Sequence, residues 1–184
     1  MSIHESIKEQ CAGGALVLLT PLVSGAPTVR HMFLSSEVSA LVCGPWNGAD
    51  QTWKNRRFVL RQQLEDFITG SLITVARKPR KAKTAYMSQL DMPSDRVWDI
   101  RARDPEPGIR ILGGFAECDV FVATNWAFRK PLGVYGSQQW KKAIATYHGQ
   151  WAALFKEYLP ISDNKEISED NLHDYISTNC KLLG

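Results

Sequence analysis

The clearest strand pattern in this chain is the segment 97–101, which reads Val-Trp-Asp-Ile-Arg. Successive side chains of a strand point to opposite faces, so Trp98 and Ile100 share an apolar face. Asp99 and Arg101 share the other face, which is charged. The pattern therefore predicts a strand that buries one side and presents a charged side to a site or to solvent.

Two further strand patterns follow at short intervals. A proline-rich turn at 104–108 leads into an apolar run at 109–112, and the pair Gly113-Gly114 predicts a bulge or kink there. A second turn at 117–119 leads into the largely apolar segment 120–126. Two short turns in succession indicate an antiparallel meander of three strands.

Helical patterns lie on both sides of this meander. Apolar residues at helical spacing predict a helix over 54–69, and Ser137 is a suitable N-cap for a second helix that ends near Phe155. A last helix is predicted over 168–177. We therefore expect an α+β fold in which a small antiparallel sheet packs against helices, with C-terminal helices following.

The first 53 residues show a less regular pattern. The segments 29–33 and 38–42 alternate between apolar and polar residues, which predicts a hairpin around Ser35-Ser36. We expect residues 1–53 to form an N-terminal appendage that packs on the core. Residues 54–184 are then one α+β domain with a C-terminal helical extension.

The composition is that of a globular protein. Of the 184 residues, 44% are hydrophobic and 22% are charged, which excludes a wholly disordered chain and a fibrous repeat. The longest apolar run, 15–19, is far shorter than the roughly 20 residues of a membrane span. Glu5 and Glu9 lie where a signal peptide carries basic residues, so we expect a cytoplasmic protein without a membrane partner.

The positive charge is concentrated in the middle of the chain. Residues 54–110 contain 13 basic and 7 acidic side chains, whereas 1–53 contain 2 and 4, and 111–184 contain 7 and 8. This asymmetry favours a polyanionic partner, most often a nucleic acid, although a solvated charged face remains an alternative. The densest run is expected to bind an RNA backbone without reading its sequence; it comprises Arg77, Lys78, Arg80, Lys81 and Lys83.

Cysteine and histidine spacing indicates no metal site. The four cysteines show no CxxC or CxxH spacing, and the four histidines are scattered along the chain. We therefore expect reduced thiols and predict neither a metal nor another cofactor.

Four segments carry a resemblance to a known family: 97–101, the Pro-Gly-Ile-Arg-Ile-Leu stretch at 107–112, the Asp-Val-Phe-Val stretch at 119–122, and Arg129-Lys130. They resemble the RelE/HigB toxin superfamily, which combines a basic strand, a Gly-x-Arg-hydrophobic turn, an apolar third strand and a basic cluster. The stretch 90–101 is similar to the phage-derived HigB branch in particular. The resemblance covers about residues 54–135.

The resemblance implies a toxin of a toxin-antitoxin system that cleaves mRNA at the ribosome and is held inactive by an antitoxin. In that family the ribose 2′-OH attacks the adjacent phosphate and leaves a 2′,3′-cyclic phosphate. Carried over by position, the catalytic residues are Arg101, Arg110, Arg129 and Tyr135, and Lys130 adds to RNA binding.

The residue types suit this chemistry without a metal, because arginine remains charged and donates two hydrogen bonds to a phosphate. An obvious general base is missing. Arg101 also has a structural alternative, an ion pair with Asp99 or Asp119. Cleavage therefore remains one of three interpretations. The others are a non-catalytic nucleic-acid-binding or partner-inhibiting protein of a phage or mobile element, and a ParE-like gyrase inhibitor.

Overall fold

The computed structural model describes residues 2–77, 84–90 and 96–184. Within them, eight strands form one mixed sheet in the order β1-β2-β7-β6-β5-β4-β3-β8. The strands are β1 (Leu16–Leu18), β2 (His31–Ser35), β3 (Ile73–Ala76), β4 (Met87–Gln89), β5 (Trp98–Ala102), β6 (Ile109–Glu117), β7 (Val120–Phe128) and β8 (Cys180–Leu183). The helices are α1 (Ile3–Ala12), α2 (Ser36–Cys43), α3 (Gln51–Ile68), α4 (Arg129–Leu132), α5 (Gln138–Phe155) and a 3-10 helix (Leu172–Asp174).

The predicted meander is present as β5, β6 and β7, which are antiparallel neighbours. Its bulge is confirmed by a register shift between Leu112 and Gly113. The fold class is nevertheless wrong, because the sheet is not a small antiparallel RelE-like sheet. Strand β2 pairs in parallel with β7, and β3 pairs in parallel with both β4 and β8. These added strands are only three to five residues long, and β2 and β8 pair with strands that are distant in the sequence, which local alternation does not reveal.

The N-terminal part of the fold prediction is also wrong. Strands β1 and β2 belong to the sheet, so they are not an appendage, and the predicted boundary at 53/54 falls within α3. The segment 38–42 is helical rather than the second strand of a hairpin. Its buried side chains are Val38, Leu41 and Val42, and this three-to-four-residue spacing is that of one helix face.

Ser35 marks the point where β2 ends and α2 begins. Its Oγ accepts a hydrogen bond from the Val38 N–H at 3.3 Å and donates one to the Thr124 carbonyl at 2.5 Å. The first bond caps the helix, and the second ties it to β7.

We expect the Ser35→Ala protein to lose about 1–2 kcal/mol of unfolding free energy, because both bonds disappear from a buried site. Urea denaturation followed by tryptophan fluorescence measures the change. Ser24→Ala, at an exposed position between β1 and β2, is the matched control and is expected to stay near the wild-type value. Equal midpoints for the two variants would contradict the role of Ser35.

The helix predicted over 168–177 is wrong, and a strand follows that segment. Only the 3-10 turn at Leu172–Asp174 is helical within 168–177, and β8 then pairs with β3. Arg30 holds this end of the chain in place. Its fully buried guanidinium donates to the carbonyls of Phe67 and Ser71 at the end of α3 and to those of Thr178 and Asn179 before β8.

The sheet separates two apolar layers. Helices α2 and α3 cover the face that carries Trp98 and Ile100, as the alternation predicted. Helices α1 and α5 cover the opposite face, where Tyr147 and Trp151 of α5 are buried. The predicted helices over 54–69 and 138–155 are confirmed as α3 and α5, with Ser137 as the N-cap of α5. None of the described helices is both long and apolar enough to cross a bilayer.

Candidate functional site

A cleft of about 720 Å³ opens on the α5 side of the sheet, where β5, β6 and the α4–α5 segment meet. Five basic side chains and two carboxylates line it, together with Tyr135 and Trp140. We call it the arginine cleft, and its charged lining residues are Arg101, Arg103, Arg110, Arg129, Lys130, Asp99 and Glu106.

The structure brings all of the residues predicted to be catalytic to this cleft. They are Arg101, Arg110, Arg129 and Tyr135, and Lys130 lies beside them. Arg77 is exposed after β3 and is not among the residues that line the cleft. Lys78, Arg80, Lys81 and Lys83 lie outside the described residues. The catalytic and RNA-binding roles of all these residues remain predictions.

Strand register explains why two arginines from different strands meet. Arg101 on β5 and Arg110 on β6 are directly opposite each other in the antiparallel pair, so their side chains leave the same face of the sheet. Ser88 on β4 is opposite Asp99 in the same way. Alternation places Asp99 and Arg101 on one face of β5, and the register with β4 and β6 determines which side chains lie next to them.

Asp99 is the carboxylate at the base of the cleft. Its side chain and that of Arg101 are each only 3% exposed, and the Arg101 Nε–H donates to both carboxylate oxygens at 3.2 and 3.3 Å. Ser88 Oγ donates to Asp99 Oδ1 at 2.5 Å and accepts from the Arg101 guanidinium. The alternative noted from the sequence, an Arg101–Asp99 ion pair, is thus present, with both residues on one strand.

Arg110 has a less complete set of partners. Its Nε lies 3.2 Å from Asp99 Oδ2, which is an ion-pair distance, but the buried Nε–H makes no hydrogen bond. Burial lowers the pKa of Arg110 to about 10. The negative charge of Asp99 acts in the opposite direction and raises this pKa, whereas the positive charges of Arg101, Arg129 and Arg103 lower it further. Arg110 is therefore charged at neutral pH in surroundings that disfavour its charge, and an anion in the cleft would relieve this cost.

Arg129, Lys130 and Tyr135 form the rim of the cleft. Arg129 follows β7 directly; its backbone N–H donates to the Gly108 carbonyl at 2.7 Å, and its Nη1 donates to the Gly133 carbonyl at 2.7 Å. Arg129 and Lys130 are exposed, whereas Tyr135 is half-buried, with its ring 5.3 Å from that of Trp140. The rim thus offers two exposed cations and one packed aromatic ring.

Two lining residues were missed by the sequence reasoning, Glu106 and Arg103. Glu106 lies in the β5–β6 turn, and its Oε2 accepts the Gly108 N–H at 3.3 Å. Arg56 holds that turn by donating to the Glu106 carbonyl at 2.6 Å. In the sequence, Glu106 reads only as part of a Pro-Glu-Pro-Gly turn. Arg103 was detectable, because it continues the alternation of Asp99 and Arg101.

The remaining titratable groups give no indication of a metal centre. Among the described ranges, no cluster of three or more His, Cys, Asp or Glu side chains has an arrangement that could hold a metal ion. All four cysteines are free thiols, and burial raises the pKa of Cys11, Cys118 and Cys180.

A comparison of the chain with models of protein families, with curated proteins and with solved structures found no match.

Proposed function

We propose that this protein is an endoribonuclease of the toxin type, which binds a phosphodiester of RNA in the arginine cleft and cleaves it with arginines in place of a metal. The single observation that carries the proposal is the Arg110 guanidinium, which is charged, lacks a hydrogen bond at Nε and is surrounded by three further arginines of the same cleft. Such a group favours a phosphate over a neutral ligand.

The charge of the cleft supports an anionic ligand. Five cationic side chains stand against two carboxylates, which leaves an excess of three positive charges. Arg101 already neutralises Asp99, so Arg110, Arg129 and Lys130 provide the charge that faces a ligand. Successive phosphates of an RNA strand would satisfy this excess.

The reaction requires a proton acceptor for the ribose 2′-OH as well as cations. In the proposed mechanism Glu106 takes that proton, the 2′-oxygen forms a bond to phosphorus, and the bond from phosphorus to the 5′-oxygen breaks. Water supplies a proton to the 5′-oxygen, and a 2′,3′-cyclic phosphate remains. Arg110 and Arg129 stabilise the charge that develops on the non-bridging oxygens.

The proposal includes the partners that the resemblance implies. The substrate is mRNA on the ribosome in the cytoplasm, and an antitoxin protein holds the enzyme inactive. The geometry of the cleft does not distinguish ribosome-bound mRNA from free RNA. The experiment below therefore includes both substrates.

A second function, RNA binding without cleavage, is favoured by one specific observation. The Arg101 side chain is 3% exposed and is engaged with Asp99 and Ser88, so it has little surface with which to contact a transition state. A cleft with only Arg110, Arg129 and Lys130 facing the ligand is sufficient for binding.

The test compares cleavage by wild type, Arg110→Gln, Arg129→Gln and Lys165→Ala in the presence of EDTA. We expect wild type to leave a 2′,3′-cyclic phosphate and each arginine variant to be slower by about 10²–10³-fold, the usual cost of removing one donor to a developing oxyanion. Lys165 is an exposed cation outside the cleft, and its variant is expected to retain activity.

The substrates are a short RNA, the same RNA with 2′-deoxyribose at the cleaved position, and an mRNA on translating ribosomes. The deoxy substrate is expected to remain intact. Salt-sensitive binding of all three substrates without any cleavage would support the second function instead. If neither binding nor cleavage is detected, both proposals are wrong.

A further inference from the structure

A second cavity, of about 360 Å³, lies against the arginine cleft and shares two of its lining residues, Arg101 and Arg103. It lies between α3 and the ends of β3 and β5. Arg103 lines both spaces, and its guanidinium donates to the carbonyl of Ala85, which lies between the lining residues Thr84 and Tyr86. A ligand that passes Arg103 would therefore contact both cavities.

The wall of this cavity is fixed by hydrogen bonds. Gln63 Nε2 donates to the Arg101 carbonyl at 2.6 Å, and the Tyr86 hydroxyl donates to the Gln63 carbonyl at 2.9 Å. Thr74 Oγ1 accepts the Tyr86 N–H at 2.9 Å. These bonds connect α3 to β5 through Gln63 and to β3 through Tyr86 and Thr74.

The exposed polar groups of the cavity differ in character from those of the arginine cleft. They are the carboxylates of Asp66 and Asp104 and the hydroxyl of Thr84. Carboxylates are acceptors only, so they select a ligand part that is rich in N–H donors. Two large apolar side chains, Val59 and Leu72, are 36% and 55% exposed at the same cavity and offer a surface for a flat ring.

A ligand that suits both spaces carries an anionic phosphate and, next to it, a flat group with N–H donors. A nucleotide has this composition. Among the bases, guanine presents two adjacent N–H donors on its Watson–Crick edge, which one carboxylate can accept together. Uracil presents a single N–H and matches this acceptor set least well.

We propose that the second cavity is a nucleoside subsite of the RNA ligand and prefers guanine, with Asp66 as the carboxylate that receives its Watson–Crick edge. This inference rests on the proposed function, since it assumes that the phosphate of the same ligand occupies the arginine cleft. It names a base specificity that the cleft alone does not provide.

Binding rather than cleavage tests this subsite. The ligands are 2′-O-methyl dinucleotides of each base, which lack the attacking hydroxyl, and pyrophosphate as a probe of the arginine cleft alone. The variants are Asp66→Asn, Val59→Trp, which fills the cavity from an exposed position, and Asp170→Asn, an exposed control outside both cavities. Calorimetry measures the affinities, and thermal unfolding verifies that each variant is folded.

We expect wild type to bind the guanine dinucleotide about tenfold more tightly than the uracil dinucleotide, the usual contribution of one bidentate contact. Asp66→Asn and Val59→Trp are expected to abolish that preference while pyrophosphate binding is unchanged. Equal affinity for all four bases, or a preference that survives both variants, would overturn the subsite, whereas pyrophosphate binding by the wild type would still support the arginine cleft. If pyrophosphate and dinucleotides all fail to bind, the proposed function is overturned too.

Discussion

The Asp99→Asn protein is expected to lose about 3–5 kcal/mol of unfolding free energy, because the substitution removes a buried negative charge that pairs with both Arg101 and Arg110. The amide has nearly the shape of the carboxylate, so the effect is one of charge rather than of volume. Arg101 is 3% exposed and cannot turn to solvent, and Arg110 lies 3.2 Å from the same carboxylate.

Urea denaturation provides the measurement, with Asp170→Asn as the control for the same chemical change at an exposed position. The control is expected to remain within about 0.5 kcal/mol of wild type. Addition of Arg101→Gln to Asp99→Asn is expected to restore part of the lost stability, because one uncompensated cation is removed with its partner. A loss below about 1 kcal/mol would mean that water already reaches the network.

The same variant links stability to the arginine cleft. Without Asp99, an anion in the cleft becomes the main source of negative charge for Arg110. Pyrophosphate is therefore expected to raise the melting temperature of Asp99→Asn by more than that of wild type. Equal shifts for the two proteins would show that Asp99 and a bound anion do not interact.

The Gly113→Ala protein is expected to lose about 3 kcal/mol or more, at the upper end of the usual cost of overpacking. A Cβ at this position would lie 2.3 Å from the Val122 carbonyl oxygen and 2.6 Å from two atoms of the Phe121 ring. Phe121 is fully buried, and the carbonyl belongs to the neighbouring strand, so neither can move unless β6 and β7 separate at the bulge.

Gly149→Ala is the matched control for this prediction. Gly149 lies within α5, and a Cβ there would meet nothing within 4 Å. Alanine is the better helix former, so this variant is expected to gain about 0.5–1 kcal/mol. Chemical denaturation of the two variants side by side should therefore give shifts of opposite sign, and a Gly113→Ala protein as stable as wild type would contradict the tight β6–β7 contact.

Prediction from sequence succeeded where the information was local. The period of two around Asp99 and Arg101, the glycine pair at the bulge and the helical spacing within α3 and α5 all depend on neighbours in the chain. It failed for α2, where a short apolar segment next to a strand fits both periodicities. It failed also for β8, because pairing with β3 depends on residues about a hundred positions away.

The candidate site shows the same difference between what local sequence patterns predict and what long-range pairing decides. The chemical types at Arg101, Arg110, Arg129 and Tyr135 were evident from the sequence, and alternation placed the first two on sheet faces. The sequence could not show that Glu106 lines the arginine cleft. The position of a carboxylate in a turn depends on the residues against which the turn packs, and these are distant in the sequence. Nor could it show that Asp99 is shared between two arginines, which requires the register of β5 against β6.

By itself, then, the sequence determined the meander, its two long helices and a charged strand face, since each follows from the repeat of side chains along a single element. The tertiary structure alone decided that the meander is the centre of an eight-stranded mixed sheet and that four arginines converge on one cleft. The physical reason is that parallel pairing and cleft formation depend on burial and hydrogen bonding between segments that are distant in the chain.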